Sequence, residues 1–266
     1  MIVVQDGGPE LYWRSAGPGA DVVLVHGLLC DHQIFNPQAE ALYRAGYRVT
    51  QMDLRGHGRS TRAPTGGDVA PLIDDVLAVA DAAGVTRGIF VGLGFGGYLT
   101  LRLARDFPSR VAGMALWSVD PRAASTIESQ GLDPMVRAAR GITMRAASAV
   151  AQPLLSRLEA KRRDPYIYAM YERSLRTASM SGVQDVAQAY VSRPDLRADL
   201  PSIDVPTQVL WGGRDVLVRQ SAGLELLAQL PKADGGPVPG AQHLLHLDQP
   251  AVVNEALLNW LQRNGF

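Results

Sequence analysis

The residues of this chain best suited to chemistry are a histidine, an aspartate and a run of glycines. His243 closes the short loop sequence Gly240-Ala241-Gln242-His243, and Asp215 closes Val209-Leu210-Trp211-Gly212-Gly213-Arg214-Asp215. An imidazole takes or gives a proton near neutral pH. A carboxylate that accepts its other ring N–H fixes the tautomer and the ring orientation. The run Gly92-Leu93-Gly94-Phe95-Gly96-Gly97 follows apolar Ile89-Phe90-Val91 and opens the amphipathic stretch Tyr98 to Ala104. A strand, a sharp turn and a helix in that order present free backbone N–H groups at the helix start, donors suited to a developing negative charge. Other polar groupings compete. His246 lies three residues beyond His243, and Asp120 lies at the end of the apolar run that starts at Val111. Asp53, Arg55 and His57 share a glycine-rich loop, where fixation of the loop by hydrogen bonds is a simpler reading than substrate contact. Cys30 reads as a small buried hydrophobe rather than an attacking thiol.

Five segments of the chain resemble the α/β-hydrolase family. Gly92 to Gly96 is similar to the strand–turn–helix nucleophile elbow, G-x-S-x-G. Val22-Val23-Leu24-Val25-His26-Gly27-Leu28-Leu29 resembles the strand-then-HG segment, and Met52 to Ser60 resembles the D-x-R-G-x-G-x-S loop. The Asp215 and His243 segments resemble the places where the family presents its triad acid and base, in the family's chain order. The resemblance runs from about residue 20 to the C-terminus apart from a middle insertion. It implies His243 as base, Asp215 as its carboxylate, and the amides of Leu28 and Phe95 as the oxyanion hole. It implies a carboxylic ester or lactone as substrate, in the manner of the enol-lactone hydrolase and esterase-like branch, with no cofactor and no metal. The aspartate that epoxide hydrolases and haloalkane dehalogenases carry at the elbow is missing here.

The elbow position that would carry the attacking serine is Gly94. The elbow backbone is strained for residues with a side chain, at about 1–3 kcal/mol, and glycine adopts it without steric penalty. The fold therefore tolerates the glycine, while acyl-enzyme catalysis does not. Removing the nucleophile of a Ser-His-Asp unit costs on the order of 10⁶ in turnover. Three accounts fit: an ordinary hydrolase whose serine has been replaced by glycine and which still binds substrate; a lyase, cyclase or other cofactor-free enzyme using His243 directly as general base; or a non-catalytic small-molecule receptor. The retention of a well-framed Asp–His pair favours the first.

Short β-type runs must position these residues. Tyr47 to Asp53, Gly88 to Leu93, Val111 to Ser118 and Pro206 to Gly212 are near-continuously apolar, as expected of strands buried on both faces of a parallel sheet. Between them lie helical patterns over Asn36 to Ala45, Asp68 to Ala83, Leu217 to Leu230 and Ala251 to Arg263. Such alternation predicts an α/β, doubly wound, mostly parallel sheet. After Pro121 the pattern changes to short helical segments without a convincing strand. The expected organisation is a core of residues 1–120 and 201–266 with a helical cap inserted at 121–200, where an insertion at the C-terminal edge of the strands would overlie the ligand crevice.

Bulk properties narrow the rest. The chain has 266 residues, of which 47% are hydrophobic, enough for a sizeable core. Lys+Arg and Asp+Glu each number 26, so the formal net charge is zero and there is no electrostatic footprint for nucleic acid. One cysteine excludes an internal disulfide. The first eight residues lack a basic region followed by a long apolar core and read as an edge strand and turn. No apolar run approaches the ~20 residues of a membrane-spanning helix. The expectation is a cytoplasmic protein with a small-molecule ester or lactone partner and neither nucleic-acid nor membrane partner.

Overall fold

A computed structural model describes residues 1–4, 8–124, 165, 169, 171–174 and 180–266. Eight strands form one sheet: β1 (Ile2–Val4), β2 (Glu10–Ala16), β3 (Asp21–Val25), β4 (Arg48–Met52), β5 (Gly88–Leu93), β6 (Val111–Trp117), β7 (Thr207–Gly212) and β8 (Ala233–Val238). Their spatial order is β1-β2-β4-β3-β5-β6-β7-β8. The first two strands pair antiparallel and every pair from β4 and β3 onward is parallel. The doubly wound sheet read from the sequence is therefore present.

Apolar side chains along the central strands alternate between two layers, as the two-residue period of a strand requires. Val23, Val25, Phe90, Met114, Leu116, Val209 and Trp211 face one core. Val22, Leu24, Ile89, Val91, Leu93, Ala115, Trp117 and Leu210 face the other. The first layer is covered by α2 (Ala70–Ala82), α3 (Phe95–Asp106), α4 (Met180–Val191) and α5 (Gln220–Gln229). The second is covered by α1 (Asn36–Arg44) and α7 (Pro250–Arg263), with the single turn α6 (Leu245–Asp248) beside them. In α7, Pro250 starts the helix, where its missing N–H costs nothing. Val253, Leu257, Trp260 and Leu261, at helical spacing, form its buried stripe.

The predicted elements match these spans to within a few residues. The exceptions are β2, for which no strand was read, and β8, which the sequence hides. Ala-Asp-Gly-Gly-Pro-Val has neither the composition nor the alternation of a strand, and its central residues are largely exposed at the sheet edge. It forms because β7 offers an unpaired edge, with register Thr207 to Ala233 through Gly212 to Val238.

Most of the expected cap over 121–200, including Tyr166, Tyr168 and Met170, lies outside the described residues. Of its described part, Tyr171 is buried with the α1/α7-side core. Helix α4 docks on the loop after β4: Thr65 Oγ1 donates to the Asp185 carbonyl at 2.9 Å, and Arg62 pairs with the Asp185 carboxylate at 2.5 Å. Among the described residues no helix is long and apolar enough to cross a membrane.

Candidate active site

The turn from β5 into α3 is built by backbone fitted against backbone. A Cβ on Gly92 would lie 2.4 Å from the Gly97 Cα, and one on Gly96 would lie 2.2 Å from the Val25 carbonyl oxygen. Any side chain at these positions would force β3, β5 and α3 apart. Between them Gly94 takes φ +53°, ψ −116°. That lies outside even the small left-handed well open to L-residues. Its N–H donates to the Trp117 carbonyl at 2.8 Å, and its carbonyl accepts from Tyr98 N at 3.0 Å. Phe95 is the first residue of α3, so its amide is one of the first-turn donors that a helix leaves without an intrahelical partner. The turn after β3 closes on the same point. A Cβ on Gly27 would meet the Leu93 carbonyl oxygen at 3.0 Å and stand 3.8 Å from Phe95 N. Leu28 follows it, and Leu29 holds a left-handed φ of +62°. The two segments expected to supply the Leu28 and Phe95 amides thus meet at the elbow.

His243 and Asp215 are brought to that point from the other side. His243 Nδ1 and Asp215 Oδ2 are 3.0 Å apart, with the carboxylate side chain fully buried and the ring 13% exposed. The other carboxylate oxygen of Asp215 accepts from Leu217 N at 2.8 Å and Val218 N at 3.0 Å. Asp215 therefore caps the turn after β7 and orients the ring at once. Burial pushes its pKa up, but the adjacent His243 ring and the three hydrogen bonds outweigh that and hold it below the usual carboxylate range. The far nitrogen of the ring, Nε2, lies 3.0 Å from where a Cβ on Gly94 would stand. That is closer than an ordinary contact with a methyl carbon. The ring occupies part of the space a serine side chain would need.

The rival groups take other places. Asp120 is held by the Arg122 guanidinium through both carboxylate oxygens, at 2.8 and 2.6 Å. His246 lies in α6, wholly buried against the rings of Phe35 and Trp117, at centroid distances of 5.1 and 5.8 Å. Burial first, then the neighbouring His243, lowers its pKa to about 3, so it is a neutral core residue. Cys30 is 1% exposed, and burial raises its thiol pKa far above the ordinary range, which keeps it from forming a thiolate.

The glycine-rich loop is fixed from within. Asp53 accepts from His32 N at 2.7 Å, His32 Nδ1 at 2.8 Å and Arg59 N at 2.9 Å. His26 Nε2 accepts the Leu54 amide at 3.0 Å, which assigns the ring proton to Nδ1, donated to the Gly27 carbonyl at 2.8 Å. Arg55 forks onto Asp75 at 2.6 and 2.7 Å, both side chains buried. Asp31, His32 and Asp53 bring potential ligand atoms within 4.8 Å of one another. The hydrogen bonds just described, with the Asp31 carboxylate capping Gln33 N at 2.8 Å, account for their orientation.

Ser118 is a neighbour of the site that sequence reasoning passes over. It follows β6, is fully buried, and holds φ +49°. Its carbonyl oxygen is 4.0 Å from the Cβ position of Gly94. Leu29 and Ser118 are the two non-glycine residues with positive φ among those described; Ser118 borders the elbow, and Leu29 lies two residues beyond Gly27. Strained backbone gathers at functional sites. The available signal was a polar residue ending an apolar run beside the elbow strand.

Comparison with known proteins supports the same frame. The family model for the alpha/beta hydrolase fold matches residues 22–250. The structure of an enol-lactonase from Burkholderia xenovorans superimposes with a TM-score of 0.91 at 26% identity, covering 98% of this chain and all of that one. A thermophilic esterase from Thermogutta terrifontis, solved with malate bound, gives 0.91 at 26% identity over 100% of this chain and 97% of its own. The 3-oxoadipate enol-lactonase 1 of Acinetobacter baylyi is 27% identical over 263 residues, covering 94% of this chain and 92% of its own length.

Proposed function

Because this chain belongs to the alpha/beta hydrolase family, with hydrolases of esters and lactones among its relatives, we propose that it binds a carboxylic ester or lactone over the elbow in a pocket whose serine route is closed by Gly94. The observation that carries this reading is the placement of Nε2 3.0 Å from the Cβ position of Gly94, with Nδ1 on Asp215. That pairing supports a base held against the elbow, where residue 94 carries no hydroxyl for it to activate. Leu28 and Phe95 supply the oxyanion amides, His243 is the base, Asp215 orients it, and residues 121–200 form the cap that selects the substrate. No cofactor enters this chemistry, and the protein works in the cytoplasm on a small molecule.

A second use of the same dyad follows from the hydrogen bond to Asp215. With Nδ1–H donated to Asp215, the Nε2 lone pair faces the elbow and is available to a substrate proton or a water molecule. The test is a panel of alkyl esters and saturated lactones, followed by ligand-detected NMR for binding and by chromatography for conversion. The proposed reading expects binding with the ligand recovered intact. Conversion by the parent that disappears in His243→Ala, with binding retained, identifies the base route instead. Absence of binding across the panel refutes the ester or lactone pocket.

A further inference from the structure

Nε2 of His243 is the atom nearest the Cβ position of Gly94, at 3.0 Å. In a serine enzyme the hydroxymethyl group stands there, and the imidazole reaches the substrate only through it. Here Nε2 is 3.0 Å from the Cβ position of residue 94, at the turn from which Phe95 opens α3. Among the described residues the ring's hydrogen bond is the one at Nδ1 to Asp215. That bond holds the proton on Nδ1 and leaves the lone pair on Nε2. We infer that His243 is itself a covalent nucleophile toward acyl donors with acidic leaving groups, forming an acyl-imidazole at Nε2. The inference rests on the ester- or lactone-binding reading and specifies the class of substrate that this pocket consumes.

The chemistry balances without a co-reactant. The Nε2 lone pair forms a bond to the carbonyl carbon, and the π electrons move to the oxygen facing the Leu28 and Phe95 amides. The carbon–oxygen or carbon–sulfur bond to the leaving group then breaks, and the leaving group departs as enolate, phenolate or thiolate. The Nδ1 proton leaves by way of Asp215 and neutralises the departing anion, giving a neutral acyl-imidazole. Water adds to its carbonyl carbon, the C–N bond breaks, a proton from that water returns to the ring, and the carboxylic acid departs with His243 restored. Leaving-group acidity decides which donors react. Phenols and thiols ionise near ~10 and ~8.5, far below alkyl alcohols. A tetrahedral adduct of an alkyl ester therefore expels the imidazole and returns to substrate, while an aryl, enol or thio ester goes forward. An enol lactone has such a leaving group and a saturated lactone does not. Histidine is among the side chains that form covalent intermediates of this kind.

The experiment uses the full chain with acetyl, butyryl and octanoyl p-nitrophenyl esters and their ethyl counterparts. Binding of the ethyl esters is followed by ligand-detected NMR. For an acyl chain that binds, the p-nitrophenyl ester is expected to give a stoichiometric burst of p-nitrophenol. Intact mass should rise by one acyl group after rapid acid quench, and the modification should map to His243. The ethyl ester should be recovered unchanged. His243→Gln should abolish the burst. Gly94→Ala should slow acylation about tenfold, since its Cβ displaces the ring by a few tenths of an ångström from the reacting line. Both variants are checked by circular dichroism and ethyl-ester binding. Binding without an adduct, an adduct on any other residue, or p-nitrophenyl and ethyl esters turning over at similar rates would each overturn the inference and leave the binding reading intact. No binding by any acyl chain would overturn the binding reading itself.

Discussion

Replacing Gly94 by serine places a hydroxymethyl group where His243, Asp215 and the first-turn amide of α3 already converge. The full value of a nucleophile in such a unit is on the order of 10⁶ in turnover, about 8 kcal/mol of barrier. The geometry subtracts from it. The new Cβ would stand 3.0 Å from Nε2, so the ring has to retreat by a few tenths of an ångström while keeping its 3.0 Å contact with Asp215. A displacement of ~1 Å can cost about 100-fold, so a fraction of that costs about tenfold. The expected gain on an alkyl ester is therefore about 10⁴–10⁶-fold over the Gly94 parent. Stability should move little. The φ +53°, ψ −116° backbone imposes about 1–3 kcal/mol on serine. Removing a glycine returns about 0.5–1 kcal/mol of unfolded-chain entropy, leaving a net loss of about 0–2.5 kcal/mol. Turnover of a broad alkyl-ester and lactone panel is followed by pH-stat, with urea denaturation alongside. A folded Gly94→Ser protein that binds the panel and hydrolyses none of it refutes the triad geometry. Alkyl-ester turnover by the parent at the variant's rate shows that the nucleophile lies elsewhere.

Acid sensitivity should be carried by buried histidines. Burial lowers the pKa of His57 to about 4 and that of His246 to about 3, so both are neutral in the fold. The unfolded chain protonates each near pH ~6.5. Their contribution is thus complete above that pH and is lost as pH falls from ~6.5 towards 4, at about 1.4 kcal/mol per pH unit for each ring. Denaturation should take up about one proton at pH 6.5 and about two at pH 5 through these rings. His246→Phe should reduce that uptake by about one; an unchanged slope would contradict its neutral burial. Asp75→Ala leaves the buried Arg55 without its carboxylate and should cost about 3 kcal/mol, the low end for a broken buried pair, since Arg55 still donates to the Pro64 and Pro71 carbonyls. Urea denaturation measures this, and a cost below about 1 kcal/mol would show the pair to be dispensable. Cys30, buried and with its thiol pKa raised, should react with iodoacetamide only as the protein unfolds. Fast stoichiometric labelling of the native chain would reopen its role as a nucleophile.

The parts of this architecture legible in the sequence were those whose signals are local. The central strands β3, β5, β6 and β7 are apolar on both faces and could be read from composition, as could the 3.6-residue stripe of α7. The glycine spacing from Gly92 to Gly97 encodes a close approach of backbones, so the elbow was legible too. What escaped was decided at a distance. β8 is a strand because β7 has an edge to offer, not because Asp-Gly-Gly-Pro prefers one. The left-handed backbone of Ser118 is imposed by the elbow beside it and by its N–H bond to the Leu210 carbonyl at 2.8 Å. Asp120 carried the same chemical promise as Asp215, and only the position of Arg122, two residues on, takes it out of contention. The spacing of His243 and His246 could not say which ring lies over the elbow and which is sealed against aromatic rings.

The fit of Gly92 against Gly97, and of Gly96 against Val25, has a consequence for how such a pocket changes over generations. Main chain shapes the turn at Gly92 and Gly96, and the side chain nearest the Cβ position of residue 94 is the His243 ring, which need only shift by a few tenths of an ångström to admit another residue there. Glycine and serine codons differ by a single base when the glycine is written GGU or GGC. A lineage could therefore cross between a pocket that captures its ligand and one that cleaves it in one mutational step, in either direction, without compensating changes around the turn. Within such a fold, ancestry and overall shape are poor guides to whether a given member turns over its ligand; the residue at the head of α3 is the informative character.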